Sequence, residues 1–501
     1  MDLDAPAARD PASGADFLQL SPAAAPARGL TSWLAGALRA SIRDGRLAPG
    51  TSLPATRVLA GELGVSRGVI VEAYQRLRDE GLVSAQPGAG TRVLPPGSGQ
   101  QFQRRATPPG AGRAAHWRWT PVGGLDPARL PPSGPDRPEI DLSPGVPDLS
   151  AFPRAAWLRA ERAVLGQASA GALGYGDPRG HERLRQELAG WLARTRGLRA
   201  GPEGIIIVAG VAQSLALLAH VLCKRGTTGI GVEDPGSRGA RDELAYWGLR
   251  PVPVPVDDHG LQVEELARSG VRAALLTPAH QFPTGVVLAP HRRRDLLAWA
   301  AADGLIVEDD YDAEYRYDRA PVPALQASAP DRVAYAGSTS KVLAPGLRLG
   351  WLVPPSHLHA DLIAAKHASD LGSPALPQLI LAHLIGTGEL ERHIRVVRQR
   401  QRKRRDALLA ALREHLPGAR VRGVAAGLHL LITFPDLPGH ADDALAARLQ
   451  LAGVLVHPLS WHRERPGPPG LVLGYAARTP DQLREAAERI SQAVRAARHE
   501  P

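Results

Sequence analysis

A lysine set among hydroxyls and an arginine is the first feature of this sequence that could do chemistry. Residues 337–351 read GSTSKVLAPGLRLGW, which places Lys341 beside Ser338, Ser340 and Arg348. Lysine is scarce here. Lys224, Lys341, Lys366 and Lys403 are the only four, and the other 56 of the 60 basic residues are arginine. Arginine keeps its proton in a protein, whereas a desolvated lysine can give it up. A lysine retained against that background is suited to act as a free amine. Amine nucleophiles form Schiff bases with carbonyl cofactors, most commonly pyridoxal phosphate (PLP). Ser338, Ser340 and Arg348 would suit the phosphate of such a cofactor. From the local residues alone, a solvated lysine in a loop after a strand fits equally well.

The elements that must position this lysine are short apolar runs of buried-strand length, among them Val333–Ala336 and Trp351–Val353. Ile205–Val208 is another, followed by Ala209-Gly210-Val211 and a helical stretch to Leu222. A glycine at such a junction lets the backbone approach a phosphate, which the first helical N–H groups can bind. Ile230–Asp234 ends in DPGSRG, and Leu305–Val307 leads into EDDYDAEYRY. From Arg405 to Arg498 helices and strands alternate again.

The N-terminal part has a different pattern. Residues 1–27 are rich in Ala, Pro and Asp and read as a mobile arm. Leu30, Leu34, Leu38 and Ile42 recur at helical spacing, and Pro54–Leu63 predicts a second helix. Ser66 is placed to cap a third helix over Arg67–Glu80, with Ile70, Ala73, Tyr74 and Leu77 inward. Leu82–Leu94 predicts two strands around Pro87-Gly88-Ala89-Gly90. Three short helices and a two-stranded wing make a winged helix-turn-helix, whose third helix enters the DNA major groove. Residues 95–138 hold ten prolines and read as a linker, with Trp117 and Trp119 as candidates to dock on a domain.

Length and composition bound the rest. A chain of 501 residues predicts two or more domains. The single cysteine, Cys223, excludes an intrachain disulfide and fits a reducing cytoplasm. No apolar run approaches the roughly 18 residues of a membrane span, and the acidic, Pro-rich start does not resemble a signal peptide. The net charge of +10 is compatible with nucleic acid without establishing it. Residues 391–406, ERHIRVVRQRQRKRRD, form a basic helix that reads as a solvated or acid-paired face, with a DNA contact as the alternative. His357 and His359 lack further ligands at metal spacing, so no metal site is expected.

Residues 28–94 closely resemble the GntR family of DNA-binding domains. The resemblance implies that Arg57, Ser66, Arg67 and Gly88 sit where family members touch a double-stranded DNA operator. Gly68 and Val69 depart from it, because threonines are usual there. The segment around Lys341 resembles the cofactor-lysine motif of fold-type I aminotransferases, in the form seen in regulators of the MocR/GabR group. The expected fold is therefore a winged helix-turn-helix joined to an α/β PLP-dependent transferase fold. That second part would span 139–498, with a small C-terminal subdomain at about 405–498.

The resemblance implies roles for named residues. Lys341 would carry PLP as a Schiff base. Asp309 would face the pyridine nitrogen and Tyr311 the ring hydroxyl. His280 or Gln281, in TPAHQFPTG (277–285), would reach that hydroxyl or stack on the ring. Gly210, Val211, Gln213, Ser338, Ser340 and Arg348 would hold the phosphate, the usual hydroxyls being replaced by Ala209 and Val211. Tyr175 would reach the phosphate of a neighbouring subunit, implying a homodimer with shared PLP sites. Ser237 stands where an aromatic usually stacks on the ring. Val472 stands where an arginine usually holds a substrate carboxylate, and Arg478 is offset.

The expected function is a PLP-dependent, DNA-binding transcriptional regulator with PLP or an amino compound as effector, cytoplasmic and not membrane-bound. The alternatives are an active aminotransferase with an appended DNA-binding module, and a PLP carrier.

Overall fold

The computed structural model describes residues 29–86, 90–94, 139–318, 322–423, 425–439 and 441–499. Gly88, the arm at 1–27 and the linker at 95–138 with its two tryptophans lie outside the described residues. The chain divides into two compact units at Arg118.

In the first unit, α1 (Leu30–Arg43), β1 (Ser52–Leu53), α2 (Thr56–Leu63) and α3 (Arg67–Asp79) precede a hairpin of β2 (Val83–Gln86) and β3 (Gly90–Val93). The helical periodicity does what it predicts. Leu34 and Leu38 of α1 meet Leu59 and Leu63 of α2 and Ile70, Ala73, Tyr74 and Leu77 of α3 in one buried cluster. The Tyr74 hydroxyl donates to the Pro54 carbonyl at 2.9 Å, tying α3 to the entry of α2. The wing has three strands where the sequence predicts two, because β1 pairs with β3 through Ser52↔Arg92 and Leu53↔Thr91. Ser66 has the extended backbone of an N-cap, but its hydroxyl accepts no hydrogen bond from the helix.

The second unit opens with β4 (Ile140–Asp141). One mixed sheet follows: β5 (Ile206–Val208), β6 (Gly229–Asp234), β7 (Arg250–Asp257), β8 (Gly260–Leu261), β9 (Ala273–Leu276), β10 (Leu305–Asp309), β11 (Val333–Ser338) and β12 (Gly350–Val353). Their spatial order is β5-β12-β11-β10-β9-β6-β7-β8. The run from β11 through β10, β9 and β6 to β7 is parallel. β12 is antiparallel to both β11 and β5, so β5 points the same way as β11. The central strands read as unbroken apolar runs because both faces are covered. Ile207, Tyr335 and Trp351 face one cluster, while Ile206, Val208, Ala334 and Leu352 face another. Asp309, Ser338 and the turn at Gly210 therefore emerge at one carboxyl edge of the sheet, where open α/β sheets bind ligands.

The C-terminal part carries a four-stranded antiparallel sheet. Its strands are β13 (Arg420–Arg422), β14 (His429–Thr433), β16 (His457–Pro458) and β17 (Gly470–Gly474). β4 pairs in parallel with β15 (Val454–Leu455), and Ile140 and Leu142 share the core of this part with Leu430, Leu473 and Val494. The basic stretch lies in a 27-residue helix, Glu389–His415. Arg404 of this helix donates to the buried Asp148 carboxylate at 2.7 Å, while Arg395 and Lys403 stay exposed.

Candidate functional site

A cavity of about 390 Å³ opens at the carboxyl edge of the large sheet, and Lys341 lines it. Lys341 follows β11 by three residues, which sets its amine beside the ends of β10 and β5. The amine donates to the Gly145 carbonyl at 2.5 Å. Burial lowers the lysine's pKa, and the carboxylates of Asp312 and Asp309 oppose that shift. A desolvated amine of this kind reaches its neutral, nucleophilic form more easily than a solvated one.

Part of the cavity lining is built for an anion. Gly210 caps the helix Val211–Lys224 at φ +95°, a conformation that side chains rarely adopt. A Cβ there would lie 3.4 Å from an Arg348 guanidinium nitrogen. The guanidinium thus rests against the helix N-terminus, whose free N–H groups and dipole favour negative charge. Val211, Ser338 and Ser340 line the same cavity. Gln213 does not. Its Oε1 accepts from Ala209 N at 2.8 Å and its Nε2 donates to Asp370 at 2.9 Å, so it braces the turn from outside.

Another part of the lining fits a protonated heterocycle. Asp309 lines the cavity, and its Oδ1 is buried with no hydrogen-bond partner among the described residues. Burial, and then the charge of Asp310, push this carboxyl up to about 7, while Lys341 acts the other way. A ring N–H would satisfy the orphaned oxygen and restore its charge. Asp310 is itself fixed by two hydrogen bonds from the buried Arg196, at 2.6 and 2.8 Å, which hold the end of β10 in place. Together the lysine, the unpartnered carboxylate and the anion cradle fit PLP.

Tyr311 lines the cavity, with its hydroxyl 3.1 Å from His280 Nδ1. His280 stands behind Tyr311 rather than in the cavity, and its Nδ1 is 2.9 Å from Asp312. Gln281 is turned away. Its Nε2 donates to the Pro235 carbonyl, and its Oε1 accepts from Thr284 N at 3.0 Å. The residues of this loop that reach the cavity are Thr277, at its start, and Phe282. The available sequence signal for Phe282 was its place directly before Pro283-Thr284-Gly285, the Asn position of the related Asn-Pro-x-Gly loop. The Phe282 ring lies 5.1 Å from His429 and 5.0 Å from His462. Ser237 lines the cavity and caps its own helix by accepting from Ala240 N at 3.3 Å.

His280, Asp312 and His429 bring their ligand atoms within 4.8 Å of one another. Two of these imidazole nitrogens are engaged, His280 Nδ1 as described and His429 Nε2 with the Pro283 carbonyl at 3.2 Å. Val472 packs with Leu431 and Leu459 in an apolar cluster against Phe282. Arg478 donates to the Asp141 carbonyl at 2.7 Å. Tyr175 is 93% exposed and lines a separate hollow with Leu371, away from Lys341. In the first unit Arg57, Ser66 and Arg67 are all exposed, the last two at the start of α3.

Two family models match the chain: bacterial regulatory proteins, gntR family, over residues 30–93, and aminotransferase class I and II over residues 137–490. The HTH-type pyridoxine biosynthesis transcriptional regulator PdxR of Corynebacterium glutamicum is 34% identical, covering 91% of this chain and 94% of its own. The probable rhizopine catabolism regulatory protein MocR of Rhizobium meliloti is 33% identical, covering 89% and 90%. This chain belongs to the MocR-type regulators. Within that family it is also 31% identical to the HTH-type transcriptional regulator TauR of Rhodobacter capsulatus, over 91% of this chain and 94% of TauR. Among solved structures, an archaeal alanine:glyoxylate aminotransferase superposes with a TM-score of 0.66 at 27% identity, covering 71% of this chain and 91% of that one. A MocR-type regulator binds DNA through its winged helix and takes PLP as the cofactor of its aminotransferase-like part. Among the described residues no helix is long and apolar enough to cross a membrane.

Proposed function

We propose that PLP is held on Lys341 as a Schiff base and that its occupancy sets how the winged helix engages an operator. The observation that carries this reading is the buried, unpartnered Asp309 Oδ1 in the cavity of Lys341. Asp309 would receive the ring N–H, Tyr311 the ring hydroxyl, and Gly210, Val211, Ser338, Ser340 and Arg348 the phosphate. Phe282 and Ser237 bound the site, and Gln213 and His280 support it from behind. When bound, PLP supplies an aldehyde for the lysine and an electron-withdrawing ring. Arg57, Ser66 and Arg67 would meet the DNA. The chain would act as a homodimer, with Tyr175 reaching a neighbouring site.

PLP itself is the favoured effector. The lining residues offer two cations, Lys341 and Arg348, and both are committed to the cofactor. Val472 is apolar and Arg478 is bound to Asp141, so neither position expected to meet a substrate carboxylate offers a free cation. Control of pyridoxine synthesis, the role in PdxR's name, fits this reading.

The test is binding of the purified protein to the DNA upstream of its own gene, with and without PLP. A change of affinity or footprint with PLP alone supports the proposal. Unchanged binding removes PLP as the effector, and turnover of amino donors to keto acids would favour the aminotransferase reading.

A further inference from the structure

The Lys341 amine has one partner that is not part of the cofactor cradle. That partner, the Gly145 carbonyl, belongs to the first described residues after the 95–138 stretch, which in sequence joins the two units. Gly145 adopts φ +83°, and a Cβ there would lie 3.1 Å from Lys341 Nζ. Only glycine allows this approach without strain. The flanking residues are anchored to the C-terminal part. Ile140 N donates to Gly453 O at 3.0 Å, Leu142 N to Leu455 O at 2.8 Å, and Gly474 N to Leu142 O at 2.7 Å. Ser143 N donates to Asp141 Oδ1 at 2.8 Å, and Arg404 holds Asp148. Between these anchors, Pro144 and Gly145 line the cavity.

We infer that Gly145 and Lys341 form an occupancy latch, an inference that rests on Lys341 being the PLP lysine. In the cofactor-free protein an ammonium with three donors holds the Gly145 carbonyl. When PLP condenses with Lys341, the nitrogen bonds the aldehyde carbon. The aldehyde oxygen leaves as water with two of the ammonium protons, and one proton stays on a now planar nitrogen. With one proton in place of three and its direction set by the new double bond, that nitrogen would no longer hold the Gly145 carbonyl as the ammonium does. Occupancy of the site is thereby reported at the segment through which the chain arrives from the DNA-binding unit. The ligand acts because it binds better to the unlatched arrangement, the condition any such switch must meet.

Hydrogen exchange on the full-length protein tests this. Between cofactor-free and PLP-loaded samples, the amides of Ile140, Leu142 and Ser143 should exchange faster on loading. The expected change is on the order of tenfold, the lower end for losing a hydrogen bond to a charged group. Cofactor-free Lys341→Ala should already show the fast rates, and PLP should not change them. Gly145→Ala, which crowds the amine at 3.1 Å and strains the φ +83° backbone, should do the same without PLP and guards against a folding defect in the lysine variant. Equal rates in loaded and cofactor-free wild type overturn the latch. The mass of the borohydride-reduced protein is read in parallel. If it shows no PLP on Lys341, the cofactor assignment fails rather than the latch.

Discussion

Asp309 has one carboxylate oxygen with no partner among the described residues, and that single atom says more about the site than any other. Its protonation makes the assignment testable without activity. The group sits up to about 7, whereas an unfolded carboxyl titrates near about 4. Between these values the folded state holds a proton that the unfolded state has lost, so this group's contribution to stability declines as pH rises toward 7. Cofactor-free Asp309→Asn should therefore melt above wild type at about pH 8, with the gap closing near about pH 5. The same variant should bind PLP roughly ten- to a hundredfold more weakly by equilibrium dialysis, the range for losing a hydrogen bond to a charged group. Lys341→Ala should abolish the borohydride-trappable adduct, read by intact mass. An adduct surviving in that variant would remove Lys341 from its role.

At the scale of elements, α3 and the helix behind Gly210 carry the two recognition tasks. Arg67→Ala at the start of α3 should weaken operator binding and leave PLP retention unchanged. If Arg67 meets a phosphate, the slope of log affinity against log salt should fall by about 0.9. Titrations at several salt concentrations measure it, and an unchanged slope removes that contact. The core face of α3 was legible because Ile70, Ala73, Tyr74 and Leu77 repeat at helical spacing and their burial follows from that alone. The third strand of the wing was not, since two residues, Ser52 and Leu53, carry no periodicity and are recruited by pairing with β3. In the site, the setting of Lys341 was legible from its own segment, whereas Asp309 and Tyr311 were singled out only through the family resemblance; the structure places all three on one cavity, with Asp309 ending β10. Phe282 was not legible, because the expectation for this loop fell on His280 or Gln281. Which of two adjacent loop residues faces a cavity depends on the turn, and here Gln281 is drawn inward by Pro235 and Thr284.

For the whole molecule, the second unit exposes Leu173, Tyr175 and Leu371 around one hollow. Isolated exposed apolar side chains are ordinary, but a group of them marks a surface that pairs. Sedimentation should show a dimer, and Tyr175→Ala should release PLP faster if this residue completes the neighbouring site. A monomer that retains PLP normally would refute the shared-site arrangement. The burial of the lysines has a further consequence. Lys366 is fully buried against Asp370, and Lys224 and Lys403 are exposed. Lys341 is the one lysine that lines the cavity. A protease that cuts only after lysine would divide the denatured chain into five pieces, with 225–341 and 342–366 as neighbours. Reduction of a cofactor onto Lys341 would block that cut and fuse them into a single 225–366 fragment. The size of one peptide then reads out occupancy of the sensor in a crude sample.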